Sequence, residues 1–429
     1  MRNTFRALQY RNYRLFFTGQ SVSLIGTWMQ QLGMSLLIYN ITKSAVLLGT
    51  VNFFSLVPAF FLSPFAGVWL DRWNKRKVIV ATQTVSLVQA SLLAVLTLTK
   101  VIVPWEILTL SVVIGLVTAF DTPARQSFMV EIVENREDLG NAIALNSSQF
   151  NLARLIGPPI AAGVIHLVGE GWCFALNALS YVAVILALLS MTSTHVPREG
   201  EAGEMLKELK AGAHYVWTFI PIRAMLTLLA VMSFLSGAYS VLLPVLAIKV
   251  YHGKELTLGI LFSAVAVGAL FSAYTLASRS TVYGLGRLIA ISATVFGVSL
   301  IGLGFAPNEW VGVMALVGVG LGSMMNMAST NTLVQTIIED HMRGRVMAWY
   351  TMSFLGTMPV GSLIAGFASD RFGPNATLWV AGVIALFGSA MFFRLMPMLR
   401  DWIHPIYEAK GHVRPAKPPR KIRSQRTKK

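Results

Sequence analysis

Asp71, Arg72, Lys75, Arg76 and Lys77 place five charges in seven positions between two apolar runs. With Gly67 they spell G-x-x-x-D-R-x-x-K-R. The glycine permits close approach of a neighbouring helix. A carboxylate at Asp71 can pair with Arg72 or Lys75, or face the positive N-terminus of another helix. A topology anchor would need only the cations and leaves the carboxylate unexplained.

A second cluster, "FDTPARQSF", holds Asp121 and Arg125 at the end of an apolar run. A carboxylate in that setting needs a partner, and the basic neighbours of Asp71 are the expected one; a helix-end cap is the alternative. A third, "NSSQFNLARLIGPPIAAG", carries Arg154 as a lone cation at membrane depth, followed by Gly157, Pro158, Pro159 and Gly163. These residues predict a kinked helix with a thin packing face. Arg154 is either functional or bonded to carbonyls as helix glue. In "GQSVSLIGTWMQQLG", Gln20, Ser23, Thr27 and Gln30 recur near the helical period. They are read as a cavity wall, with inter-helix hydrogen bonding as the alternative. Asn146 and Gln149 extend that wall, and Asn326 and Asn331 face it from a Met-rich run.

The elements that must position these groups are membrane helices. Of 429 residues, 55% are hydrophobic and 13% charged; a soluble chain would carry roughly 25% charge. At about 20 apolar residues per span, twelve spans are predicted: 14–39, 45–70, 78–99, 102–121, 139–168, 172–191, 222–250, 256–278, 286–306, 309–335, 343–368 and 376–397. Trp69, Trp73, Trp105, Trp172, Trp310 and Trp402 lie near span ends, as in an aromatic belt. The net charge of +16 does not imply nucleic acid, because 29 of 35 Lys and Arg fall in segments on one side if the spans alternate. That side is the cytoplasm, with both termini inside.

The linker 192–221 is predicted to form a short amphipathic surface helix around Met205, Leu209 and Tyr215. It divides an N-terminal unit, 1–191, from a C-terminal unit, 222–397. The basic, Pro-rich tail, 398–429, is expected to be disordered and to touch anionic lipid or act as an anchor. The halves echo one another: "LLGTVNFFSLVPA" at 47–59 aligns with "TLGILFSAVAVGA" at 257–269, and "VEIVENREDLGNAIA" at 130–144 with "QTIIEDHMRGRVMAW" at 335–349. Repeats related by an axis along the membrane normal are a transporter architecture, with the site between them.

These residues carry a resemblance to the major facilitator superfamily. The Gly67–Arg76 loop resembles its signature between spans two and three, except that Asn74 stands where the family has Gly. The opening "FRALQYRNYRLFFTGQSVSLIGTWMQ", "DTPARQSF" and "ALNSSQFNLARLIGPP" look like the siderophore- and drug-exporting branch. The resemblance implies an all-α integral membrane fold of twelve helices in two pseudo-symmetric six-helix bundles. It also implies a charge relay of Asp71, Arg72 or Lys75 and Asp121, closing on span eleven near Gly344. Arg154, Gly157, Pro158 and Gly163 resemble the antiporter motif, where a Gly-Pro bend seals against leak.

No P-loop and no metal-spaced His/Glu pair occur, and no acidic residue lies in mid-span. An enzyme, a cofactor and a nucleic-acid partner are therefore not expected. The expectation is an inner-membrane secondary transporter, monomeric, that exports small hydrophobic or amphipathic molecules. Its partners are substrate and membrane lipid, and coupling, if protonic, runs through Asp121. Import, lipid flipping and a non-transporting scaffold are the alternatives.

Overall fold

The computed structural model describes residues 5–192, 205–279 and 281–409. Side chains at 63, 64, 67, 68, 71, 72, 136, 205–209, 340, 406, 408 and 409 lie outside that description. The helices are α1 (Arg11–Thr42), α2 (Ala45–Arg72), α3 (Lys75–Leu98), α4 (Pro104–Ile132), α5 (Leu139–Val168), α6 (Glu170–Leu189) and α7 (Met205–Thr218). They continue as α8 (Ile220–Val245), α9 (Glu255–Ala277), α10 (Leu285–Gly304), α11 (Glu309–Ile337), α12 (Arg343–Leu355), α13 (Thr357–Phe372) and α14 (Pro374–Ala409). Apolar runs this long become helices because lipid offers no partner for backbone N–H and C=O groups. All six belt tryptophans are exposed.

Among the described residues, eleven segments are long and apolar enough to cross a membrane. α1 is long enough, but its amides and hydroxyls keep it out of that set. The predicted span 343–368 is one of the eleven and runs as α12, ending at Leu355, and α13, beginning at Thr357, with Gly356 between them still at helical dihedrals. The last predicted span is longer than expected, since α14 continues helical to Ala409. Of the predicted disordered tail, 410–429 lies outside the described residues, as does 193–204 of the linker. The linker helix is present as α7, which packs on α12 with Gly212 against the backbone of Arg345.

α1 packs on α5 and α6, α3 on α4 and α6, and α2 on α4. In the second half α9 and α10 pack on α11, α10 on α14, and α8 on α13 and α14. Small residues bring backbones together there: a Cβ on Gly320 would strike the Val265 carbonyl, and one on Gly268 the Val317 carbonyl. The internal repeat extends to the turns. Lys43 after α1 and His252 before α9 share a left-handed φ of 52° and 51°. Gly169 after α5 and Gly373 after α13 share φ 92° and 88°, a conformation that favours glycine.

Two seams join the halves: α2 against α13, and α5 against α9. They occupy equivalent places in the repeat.

Candidate functional site

Both seams carry polar contacts at the helix ends opposite the start of α1. At the first, Asp370 near the end of α13 accepts hydrogen bonds from Ser44 Oγ (2.8 Å) and from the backbone N–H groups of Ala45 (2.9 Å) and Val46 (3.2 Å). This carboxylate satisfies the unpaired donors of the first turn of α2 and complements its dipole. Below it, a Cβ on Gly49 would lie 2.5 Å from the Ser362 carbonyl oxygen, and one on Gly366 2.5 Å from that of Ala45. At the second seam, His166 Nδ1 near the end of α5 meets Glu255 Oε1, the first residue of α9, at 2.7 Å. Ser263 Oγ donates to the Leu155 carbonyl at 3.4 Å, and Gly259 faces Ala162 and Pro158. Sequence reasoning missed both Asp370 and the His166–Glu255 pair. The available signal was an ionisable residue at the same end of each of two repeat-related helices.

Toward the terminus-bearing face, Lys75 and Arg76 of the motif are engaged within the first half. Lys75 forms an ion pair with Glu131 near the end of α4. Arg76 Nη2 donates to the Leu189 carbonyl at 2.8 Å, capping the C-terminus of α6. The side chains of Gly67, Asp71 and Arg72 lie outside the described residues. Asn74 caps α3 by accepting from Lys77 N at 3.1 Å, a role that glycine would not fill.

Asp121 is buried and is not paired with Lys75; the side chain of Arg72, the other expected partner, lies outside the described residues. Ten residues separate Asp121 from Glu131, about 15 Å along α4. Its carboxylate accepts from Arg125 Nε (2.8 Å), Thr82 Oγ1 (2.7 Å) and Gln83 Nε2 (3.0 Å). Arg125 Nη1 in turn donates to Gln20 Oε1 at 2.8 Å. Gln20, Arg125 and Asn146 line a cavity of about 210 Å³ with Thr122, Gln126 and Phe150.

The expected cavity wall divides by depth. Gln30 donates to Gln89 of α3 at 3.1 Å and accepts from Asn177 of α6 at 2.8 Å. Gln149 donates to Ser21 Oγ and the Phe17 carbonyl, both at 2.6 Å. Those two amides pin helices together instead of lining open space. Ser23 is buried, and its carbonyl accepts from Thr27 Oγ1 at 2.9 Å; Thr27 is exposed. Asn326 is fully buried and donates to the Ile289 carbonyl at 3.2 Å; Asn331 accepts from Gln335 on its own helix at 2.9 Å.

In the α5 motif, Gly157 meets Trp28 of α1 so closely that a Cβ there would lie 2.6 Å from the Trp28 Cβ. Pro158 lies at the α9 seam. Gly163 has nothing within 4 Å of its would-be Cβ, so the close packing expected there is absent. Arg154 projects over the Trp28 ring, 5.7 Å from its centroid.

Outside the spans, Tyr10 donates to Asp138 Oδ2 at 2.7 Å, a bond that raises its pKa, and with Gln9 ties the N-terminal turn to the start of α5. Burial, and then the charge of Glu339, raises the pKa of Tyr215 on α7.

The chain is 27% identical over 384 residues to the staphyloferrin A transporter of Staphylococcus aureus, covering 89% of this chain and 95% of that one. It is 22% identical over 391 residues to macrolide efflux protein A of Streptococcus pyogenes, covering 88% and 95%. It is 26% identical over 271 residues to the enterobactin exporter EntS of Citrobacter koseri, covering 63% and 64%. The nucleoside transporter NupG shares the fold at a TM-score of 0.71 with 12% identity, over 92% of this chain and 99% of that one. The family model described as "Transmembrane secretion effector" matches residues 2–409. The chain belongs to that family of the major facilitator superfamily, whose members are multi-pass membrane transporters and not enzymes.

Proposed function

We propose that the chain is a secondary active exporter of small amphipathic molecules of the siderophore or drug type. It works in a bacterial inner membrane by alternating access. The observation that carries this reading is the asymmetry of the seams. Asp370 on α2 and His166 with Glu255 hold one face together, while the polar cavity of Gln20, Arg125 and Asn146 sits toward the other.

In this reading α1 is the twelfth span, and α1–α6 and α8–α14 are two six-span bundles with both termini in the cytoplasm. The bundles rock about the α2–α13 and α5–α9 seams. The state described is closed outside and loads from the cytoplasm. Proton coupling is assigned to Asp121, whose protonation would release Arg125 and so link the cavity to the α3–α4 contact. The relay of the Gly67–Arg76 loop would lock the cytoplasmic ends in the opposite state. The enterobactin exporter and macrolide efflux relatives support export, and the staphyloferrin A transporter supports a siderophore-type cargo.

The test is accumulation of enterobactin, a macrolide and dyes in a bacterium stripped of its main efflux pumps. Reduced accumulation in cells with the wild-type chain, lost in Asp71→Asn, is expected. Equal accumulation with and without the chain for every compound would sink the exporter reading.

A further inference from the structure

Two arginines of the first half lie within long helices, Arg125 toward the end of α4 and Arg154 in α5, and they are treated differently. Arg125 is neutralised by Asp121 at 2.8 Å. Arg154 has no carboxylate within ion-pair distance among the described residues. It stands fifteen residues after Leu139, the start of the 30-residue α5, about 22 Å along the axis. That is the middle of the helix. An uncompensated charge there costs several kcal/mol, and a cation–π contact returns about 1–2 kcal/mol.

The surroundings of Arg154 are built, and they come from three helices. Trp28 of α1 lies under the guanidinium at 5.7 Å. Phe150 braces Trp28 edge-on at 5.8 Å, and Gly157 lets Trp28 rest directly on the α5 backbone. Tyr239 of α8 brings its phenol to the Arg154 side chain and is itself held edge-on by Phe296 at 6.3 Å. α1 and α5 belong to the first half and α8 to the second, so the guanidinium sits where the halves meet. Phe150 also lines the Gln20–Arg125–Asn146 cavity.

A fork of five N–H donors, half-buried, flanked by two aromatic rings and lacking a resident counter-charge, suits an oxyanion attached to an apolar or aromatic body. We propose that Arg154, with Tyr239 and Trp28, is the site that binds the acidic group of the cargo, so that the preferred substrates are amphipathic anions. The carboxylate or ionised hydroxyl replaces the missing counter-ion, and the aromatic rings take the body of the molecule. An anion held there bridges α5 and α8, and rocking of the halves would pull its two contacts apart. The inference rests on the carrier reading and adds the charge class of the cargo.

Two dyes built on related three-ring cores but of opposite charge separate the possibilities: fluorescein, an anion, and rhodamine 6G, a cation. Binding of each to the purified full-length chain would be followed by fluorescence anisotropy. Wild type is expected to bind fluorescein about tenfold or more tighter than rhodamine 6G, equal to ~1.4 kcal/mol. Arg154→Gln should abolish that preference by weakening fluorescein alone. Arg154→Lys should keep part of it, and Tyr239→Phe should weaken fluorescein by a few-fold. Unchanged fluorescein affinity in Arg154→Gln would overturn the proposal, as would equal loss of both dyes in Arg154→Lys or a wild-type preference for the cation. Should Arg154→Gln fail to fold, Arg154→Lys and Tyr239→Phe decide alone. Efflux of the same dyes from cells keeps the two readings apart. Arg154-dependent binding without export would sink the carrier and leave the site, whereas export indifferent to Arg154 would do the reverse.

Discussion

The carboxylate of Asp370, near the C-terminus of α13, receives the Ser44 hydroxyl and the first free N–H groups of α2. One side chain from the second half thus completes a helix of the first. Charge against a helix N-terminus contributes up to about 2 kcal/mol in partly buried settings, and Asp370→Ala removes it together with three hydrogen bonds. In a Cys173→Ser background, a reporter Ser362→Cys in this seam should react with maleimide from outside about 30-fold faster once Asp370 is alanine. An unchanged labelling rate would remove Asp370 from the closure of this face.

Glycines of the same seams give a paired prediction. Gly49→Ala places a methyl 2.5 Å from the Ser362 carbonyl, where backbone must move. Gly163→Ala places one in open space. Gly49→Ala should therefore raise Ser362→Cys labelling and lower transport severalfold. Gly163→Ala should transport within about twofold of wild type, as expected of a substitution with no new contact. Loss of transport in Gly163→Ala with normal expression would revive a packing role for that residue.

The Asp121–Arg125 pair should behave as a unit. Arg125→Gln leaves a buried carboxylate with only Thr82 and Gln83 as donors. Removing one partner of a buried pair costs about 3–5 kcal/mol, and the partial exposure of Arg125 reduces this to ~2 kcal/mol. A melting temperature several degrees lower in detergent is the expected readout, with part of it recovered in Asp121→Asn/Arg125→Gln. Additive losses in the double variant would mean the two residues act separately.

Lys75 and Glu131 form the ion pair that the loop motif makes with α4. Glu131→Gln should lower transport much as Lys75→Gln does, and the swap Lys75→Glu/Glu131→Lys should restore some of it. A silent Glu131→Gln beside an inactive Lys75→Gln would return Lys75 to a relay through Asp71.

Span positions, belt tryptophans and the repeat were legible because lipid imposes one rule on every segment: long, apolar and helical. Arg154 stood out as a lone cation for the same reason. Partners were not legible. A carboxylate at Asp121 needs a partner and the basic loop offers one in sequence, yet Arg125 lies one turn away on its own helix and pairs with it. Gln30 has the periodicity of a cavity wall and Gln149 is read as extending it, but periodicity reports a face and not what covers it. Here α3, α6 and neighbouring turns of α1 cover it. Asp370 and His166 sit next to turns, where an ionisable side chain is ordinary. Their role depends on which helix of the other half lies opposite, and no local pattern encodes that.

The amide contacts of α1 have a consequence for how the protein is made. Gln30 finds one partner on α3 and another, Asn177, 147 residues later on α6. At about 5–20 residues per second of synthesis, α1 waits roughly 7–30 s for the residue that completes the polar contacts of Gln30. During that interval, free lipid is a poor solvent for the uncovered glutamine. Truncations ending before Asn177 should leave α1 a target for membrane proteolysis.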